Sequence, residues 1–273
     1  MSRPLSPLES KLILHLEWEK QLTVTIKETM KILDCSYDHA RQILHRLAKH
    51  RWLSPIAPGK YELIPADRGV RAFADPNPFF VGSTLVKPYY FSFATAAYFY
   101  GLSTQAPAMV YIATNAGRVR RLSVRDKDFQ IIVQPAYKFF GAVEVDAYGS
   151  RVMMADLEKT LVDCLDRPSF AGGIPEVTAM LWRGKDRFDW NRLTDYALRF
   201  QSQSLIQRLG YLIDTVHVPV GQPIRKKLIA QIGKSTSYLD RRKRRDQKGE
   251  YNATWRIVDN VPHRELVSEI EVR

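Results

Sequence analysis

Leu8, Leu12 and Leu16, with Ile13 beside them, recur at helical spacing and predict an amphipathic first helix over residues 8–20. Thr25-Ile26-Lys27-Glu28 has the spacing of a capping box, in which the Thr hydroxyl and the Glu carboxylate each accept from the other's backbone amide, so a second helix starts at Ile26. Ile26, Met30 and Leu33 share its apolar face. Asp34-Cys35-Ser36 then interrupts the pattern, and Ser36 suits the N-cap of a third helix.

That third helix, YDHARQILHRLAKH, separates two chemistries. Ala40, Ile43, Leu44 and Leu47 fall on one face, while Asp38, Gln42, His45 and Lys49 fall on the other, flanked by Arg41 and Arg46. Arg51–Ile56 and Tyr61–Pro65 follow, two short runs around the turn Ala57-Pro58-Gly59-Lys60, which predict a hairpin. Residues 1–74 therefore read as a winged helix-turn-helix, with Leu47 and Trp52 in its core.

Residues 66–84, containing Asp75-Pro76-Asn77-Pro78, read as an extended connector, which sets a domain boundary between residues 74 and 75. Beyond it the pattern predicts strands at 110–114, 129–133, 142–145 and 151–154. Helices follow from the pattern at 93–100, 156–166, 174–183, 189–200, 202–216 and 222–231. Residues 75–273 are thus expected to form a larger mixed α/β domain whose strands precede a helical bundle, and the whole chain is α+β. RRKRRDQK at 241–248 reads as a charged loop or tail, and 251–258 as a last strand.

Charge changes the picture more than overall composition does. The 273 residues hold 41 Lys and Arg against 29 Asp and Glu, a formal net charge of +12, so the expected partner is a polyanion. The 45% hydrophobic and 26% charged content excludes collagenous or disordered classes. Two cysteines, Cys35 and Cys164, make neither a disulfide framework nor a four-ligand metal site and read as reduced thiols. No signal-peptide pattern opens the chain and no apolar run reaches membrane-spanning length, which leads to the expectation of a cytoplasmic protein without membrane contact.

In a helix-turn-helix the first turns of the recognition helix enter the major groove. Ser36, Tyr37, Asp38, Arg41, Gln42 and His45 are therefore the candidates nearest base edges, where Arg pairs with guanine, Gln with adenine, and Asp accepts from cytosine. Arg46, Lys49 and Lys60 are placed to hold phosphates. The competing reading is a three-helix module with a merely solvated polar face. Arg118, Arg120, Arg121 and Arg125 form a second basic surface, and all five of residues 241–245 are Arg or Lys. Such runs are either solvated surface or a contact to nucleic acid or an acidic partner.

Enzymatic signals are poor: there is no Gly-rich phosphate loop, no Gly-x-Ser-x-Gly elbow and no His pair at ligand spacing, so neither catalysis nor a cofactor or metal is expected. Glu144, Asp146, Asp156 and Glu158, with Lys159, are the one set that would suit a metal-dependent nuclease. Asp156 is more economically an N-cap, with Glu158 and Lys159 on the exposed side of a helix that buries Leu157, Leu161, Cys164 and Leu165.

Several ordered motifs carry a resemblance. Pro88-Tyr89-Tyr90-Phe91-Ser92, Ala94–Ala97, Tyr100-Gly101-Leu102-Ser103, Val110–Thr114, Phe139-Phe140-Gly141 and ADLEKTLVDCLDRPSFAGG at 155–173 resemble the C-terminal domain of AbiEi-family antitoxins. The winged segment ending Gly59-Lys60-Tyr61-Glu62-Leu63 is similar to that family's N-terminal domain. The resemblance implies the antitoxin of a type IV toxin-antitoxin module used in defence against phage. Its N-terminal domain would repress the module's own promoter at repeated sites, and its C-terminal domain would counter a nucleotidyltransferase-like toxin without a stable complex. Such a chain is expected to be a monomer in solution or a weak dimer on double-stranded DNA. Asp156, Glu158, Lys159 and Thr160 are the matching C-terminal positions. The rival readings are a DNA-associated enzyme, either a nuclease or one that modifies the toxin, and a repressor with a ligand-sensing second domain.

Overall fold

Two reciprocal caps start the first two helices. Ser6 Oγ accepts from the Glu9 amide while Glu9 Oε2 accepts from the Ser6 amide at 2.8 Å, and Thr25 and Glu28 repeat the arrangement at 3.2 and 2.7 Å. They open α1 (Pro7–Trp18) and α2 (Ile26–Leu33) in a computed structural model that describes residues 5–19, 21–64, 77–124, 126–243 and 249–270. Asp34, at φ 50°, ends α2 in a left-handed turn, and Ser36 caps α3 (Tyr37–Lys49) as its sequence predicts.

The expected hairpin is β2 (Leu53–Ala57) and β3 (Lys60–Leu63), turned at Gly59 with φ +71°. A Cβ there would lie 3.2 Å from Ile26 Cδ1, so the turn needs glycine for both its backbone and its contact. A third strand, β1 (Thr23–Thr25), pairs antiparallel with β3 to give the order β1-β3-β2. Three residues leading into a capping box are too short for periodicity to reveal. Leu12, Ile13, Leu16, Ala40, Ile43, Leu44, Leu47 and Leu53 form the core beneath, and Trp52 packs against it.

By contacts the chain divides into two compact units, one of residues Met1–Lys87 with Leu122–Lys127 and Ala147–Ser150, the other of the remainder. The expected boundary at 74/75 lies outside the described residues. Within the stretch read as an extended connector, Asn77 instead caps a helix, α4 (Pro78–Ser83), because a proline in the first turn gives up no needed hydrogen bond.

The mixed α and β content is as expected. A six-stranded sheet runs in the order β6-β7-β5-β4-β9-β8, where β4 is Tyr90–Phe91, β5 Met109–Thr114, β6 Arg120–Val124, β7 Lys127–Val133, β8 Ala142–Ala147 and β9 Ser150–Ala155. Central β4 pairs antiparallel with β5 and parallel with β9. Helix α5 (Phe93–Phe99) follows β4 directly, and α6 (Leu157–Asp166), α7 (Ile174–Gly184), α8 (Trp190–Arg199), α9 (Gln203–Thr215) and α10 (Gln222–Ile229) follow β9. Leu161, Leu165, Met180, Leu181, Leu193, Leu205, Leu209 and Leu212 join their faces into one core.

One correction concerns the C-terminal part. The segment read as one last strand is a hairpin, β11 (Glu250–Asn252) and β12 (Ile257–Asp259), and with β10 (Ser237–Tyr238) it forms a small sheet in the order β10-β12-β11. Helix α11 (His263–Val267) follows this sheet. The basic run begins as a single 3-10 turn, Arg241–Lys243, with Lys243 paired to Glu265 at 2.7 Å; residues 244–248 lie outside the described residues. Among the described residues no helix is long and apolar enough to cross a membrane.

Candidate nucleic-acid interface and a buried polar cluster

Because Ala40, Ile43, Leu44 and Leu47 are at most 1% exposed, α3 must turn its other side outward. Ser36, Tyr37, Asp38, Arg41, Gln42, His45, Arg46 and Lys49 are all exposed. Asp38, Arg41, Gln42, His45 and Arg46 line one open groove of about 620 Å³, together with Tyr61 from β3. Tyr61 was legible as a hairpin residue but not as a groove residue, since nothing in the sequence says which side of a four-residue strand faces α3. The groove offers a carboxylate, two guanidiniums, an amide and an imidazole within a few turns of one helix, a set suited to reading hydrogen-bond patterns.

Two of the three expected phosphate holders have local partners. Arg46 Nε donates to Glu9 Oε1 at 2.8 Å, tying α3 to α1 while half of the Arg46 side chain stays exposed. Burial works to raise the Glu9 carboxyl, but hydrogen bonds from Arg46 and Ser6 outweigh it and hold the group below its ordinary value. Lys60 is half-buried and donates to the Thr84 carbonyl at 2.5 Å. Burial, with Lys87 nearby, lowers its ammonium below the usual range, so it is not the free surface cation that its place in the turn suggests. Lys49, in the last turn of α3, is exposed.

Of the second basic surface, Arg118, Arg120 and Arg121 are exposed along edge strand β6 and the residues before it. Arg121 is paired with Asp128 at 2.6 Å, and Arg125 lies outside the described residues.

The matching C-terminal positions come together differently from expectation. Asp156 caps α6 as predicted: Oδ1 accepts from the Lys159 amide at 2.7 Å and Oδ2 from the Tyr196 hydroxyl at 3.0 Å. Thr160 Oγ1 donates to the Asp156 carbonyl at 2.7 Å. Glu158 and Lys159, however, are 1% and 0% exposed. Glu158 accepts from the Asp189 amide at 2.9 Å and meets the Arg192 guanidinium at 2.6 Å. Lys159 Nζ pairs with Asp163 one turn on and donates to the Tyr90 hydroxyl at 2.9 Å. It also sits 4.7 Å from the Phe200 ring centroid and 5.2 Å from that of Phe140. Burial lowers the Lys159 ammonium and the Asp163 charge opposes that shift; burial and Asp163 together push the Tyr90 hydroxyl well up.

The network closes on itself. Asp163 accepts from Ser92 Oγ at 2.6 Å and Gln134 Nε2 at 2.9 Å, and Tyr90 donates to Gln134 Oε1 at 2.6 Å. Gly141, at φ +67°, approaches so closely that a Cβ would lie 3.0 Å from Lys159 Cβ. Three separate motifs, 88–92, 139–141 and 155–173, thus meet around one ammonium. Helical periodicity distinguishes apolar from polar faces, but a polar face buried against polar partners has the same period as a solvated one. Of the carboxylates that would suit a metal, Glu158 is engaged by Arg192 and the Asp189 amide, while Glu144 and Asp146 lie exposed on β8. Among the described residues no group of three His, Cys, Asp or Glu side chains is placed to hold a metal ion.

By fold this is a mixed α and β protein of two compact units, whose largest sheet among the described residues has six strands. Its fold is similar to that in the crystal structure of the RV2827C protein from Mycobacterium tuberculosis, with a TM-score of 0.64 and 17% sequence identity, over 98% of this chain and 96% of that one. At that identity the likeness is one of fold. No family model and no curated protein matches the sequence.

Proposed function

We propose that the N-terminal unit is a winged helix-turn-helix, with α3 as recognition helix and β2–β3 as wing, and that the chain is a sequence-specific DNA-binding autorepressor. The observation that carries this reading is the groove in which Asp38, Arg41, Gln42 and His45 of α3 face outward beside Tyr61 of β3. Side chains of moderate length on one exposed helix face reach base edges, and the net charge of +12 supplies the sequence-independent attraction. The test is a fluorescence-anisotropy titration against the chain's own upstream region and a random duplex at two salt concentrations. Tighter binding to the upstream duplex, lost with Arg41→Ala and Gln42→Ala, is the expected result.

The same proposal makes the chain an antitoxin of a type IV module, a role that rests on the motif resemblance of the second unit. In this reading Lys159 and Asp163 hold the shape of that unit, because their polar groups bond one another and neither side chain reaches solvent. Full-length protein changed at Arg41, Gln42 and His45 loses repression in a promoter reporter yet still rescues cells expressing the toxin. Rescue that vanishes with every DNA-binding variant contradicts two separate functions.

A further inference from the structure

The core accounts for one face of α1 only. Leu12, Ile13 and Leu16 are buried, whereas Leu14 and Trp18, one turn apart on the opposite side, are 65% and 84% exposed, and Leu22 just beyond the helix is 50% exposed. A helix apolar on both sides ordinarily has both sides covered. Exposed apolar groups that cluster, rather than scatter, mark interaction surfaces, and a tryptophan brings the largest apolar area of any side chain.

We infer that this outer face of α1 is where two copies of the chain pair. The argument for a second copy is that the face complements itself. When α1 crosses its copy antiparallel about a two-fold axis at Leu14, the residue n positions after Leu14 lies opposite the residue n positions before it. The two Leu14 side chains meet at the axis. Lys11 comes opposite the partner's Glu17, and by symmetry the same pair of opposite charges forms at the other end. Trp18 lies over the partner's Ser10, a small residue that leaves room for the indole.

The size of the patch sets the strength of the pairing. Trp18 covers on the order of 200 Å² of each copy, and with two leucines the patch stays well below the roughly 800 Å² per partner of a stable complex. Pairing is therefore weak and concentration-dependent. Copies bound at neighbouring DNA sites would meet at high local concentration; that consequence rests on the DNA reading, whereas the pairing itself does not.

Sedimentation velocity of the full chain without DNA, over a series of loading concentrations, tests the pairing. The weight-average sedimentation coefficient is expected to rise with concentration. Leu14→Glu sets two carboxylates at the axis and weakens association about tenfold or more, with an unchanged melting temperature because the residue is exposed. Trp18→Ala acts in the same direction. Lys11→Glu weakens association, and Lys11→Glu with Glu17→Lys restores it. A constant sedimentation coefficient at all concentrations overturns the inference and assigns the face to a different molecule. Association undiminished in both Leu14→Glu and Trp18→Ala also overturns it, and a charge swap that fails to restore overturns the antiparallel arrangement.

Discussion

Lys159 and Asp163, one turn apart on α6, form an ion pair in which neither side chain is exposed to solvent. Two charges out of water are tolerated only where further hydrogen bonds satisfy what the pair leaves over, and Tyr90, Ser92 and Gln134 supply them from β4, the residue after β4 and the residue after β7. The pair thus fixes how α6 lies on the sheet.

Lys159→Met leaves the Asp163 carboxylate buried without its partner, at an expected cost of about 3–5 kcal/mol. Chemical denaturation reads it. Lys159→Met with Asp163→Leu, which removes both charges, recovers only part of that loss, because it strands the buried Ser92 hydroxyl and Gln134 amide that donate to Asp163. A Lys159→Met protein of unchanged stability that no longer rescues cells from toxin would contradict the structural role assigned to this residue.

Glu9 predicts a pH dependence. Its folded-state pKa lies below the ordinary value of 4.5, so its contribution is fully present above that value and fades as the pH falls through the lower folded one. Glu9→Gln removes the ion pair with Arg46 and costs about 1–2 kcal/mol at neutral pH. Denaturant midpoints of the two proteins are expected to converge as the pH is lowered through the folded-state pKa of Glu9. A gap that stays constant in acid contradicts the ion pair.

Gly210 on α9 leaves space that Trp255 fills: a Cβ there would stand 2.1 Å from the indole Cζ3. The indole is further held by its Nε1 donating to Asp214 Oδ2 at 2.6 Å. Gly210→Ala is therefore destabilising by about 1–3 kcal/mol or more, although alanine favours helices. Gly210→Ala with Trp255→Leu loses less than the sum of the two single changes, as thermal melts of all three variants would show.

Much of this was legible in the sequence, and the exceptions share a cause. Ser36, Thr25 and Glu28 announced their helices because caps are local chemistry, and Ala40, Ile43, Leu44 and Leu47 announced the core face of α3 because burial follows the helical period. Strand β4 escaped because two residues carry no period, and β6 because its arginines read only as charge. Glu158 and Lys159 were assigned to solvent by the rule that charged residues stay outside, a rule suspended when partners from distant segments arrive. Tyr61, Thr84 and Glu9 joined or tied down the candidate site through tertiary contacts that no local pattern encodes.

Whether α3 reads DNA as proposed is decided by titration of single variants against specific and random duplexes over a range of salt. Arg41→Ala and Gln42→Ala are expected to lose about 1–3 kcal/mol each on the specific duplex and little on the random one. Lys49→Ala should weaken both alike and make the dependence of log affinity on log salt shallower by about 0.9 if it holds one phosphate. Lys60→Ala, tied to Thr84, should change that slope little. Equal affinity of the unaltered protein for both duplexes, or identical behaviour of Arg41→Ala and Lys49→Ala on both, would contradict the account.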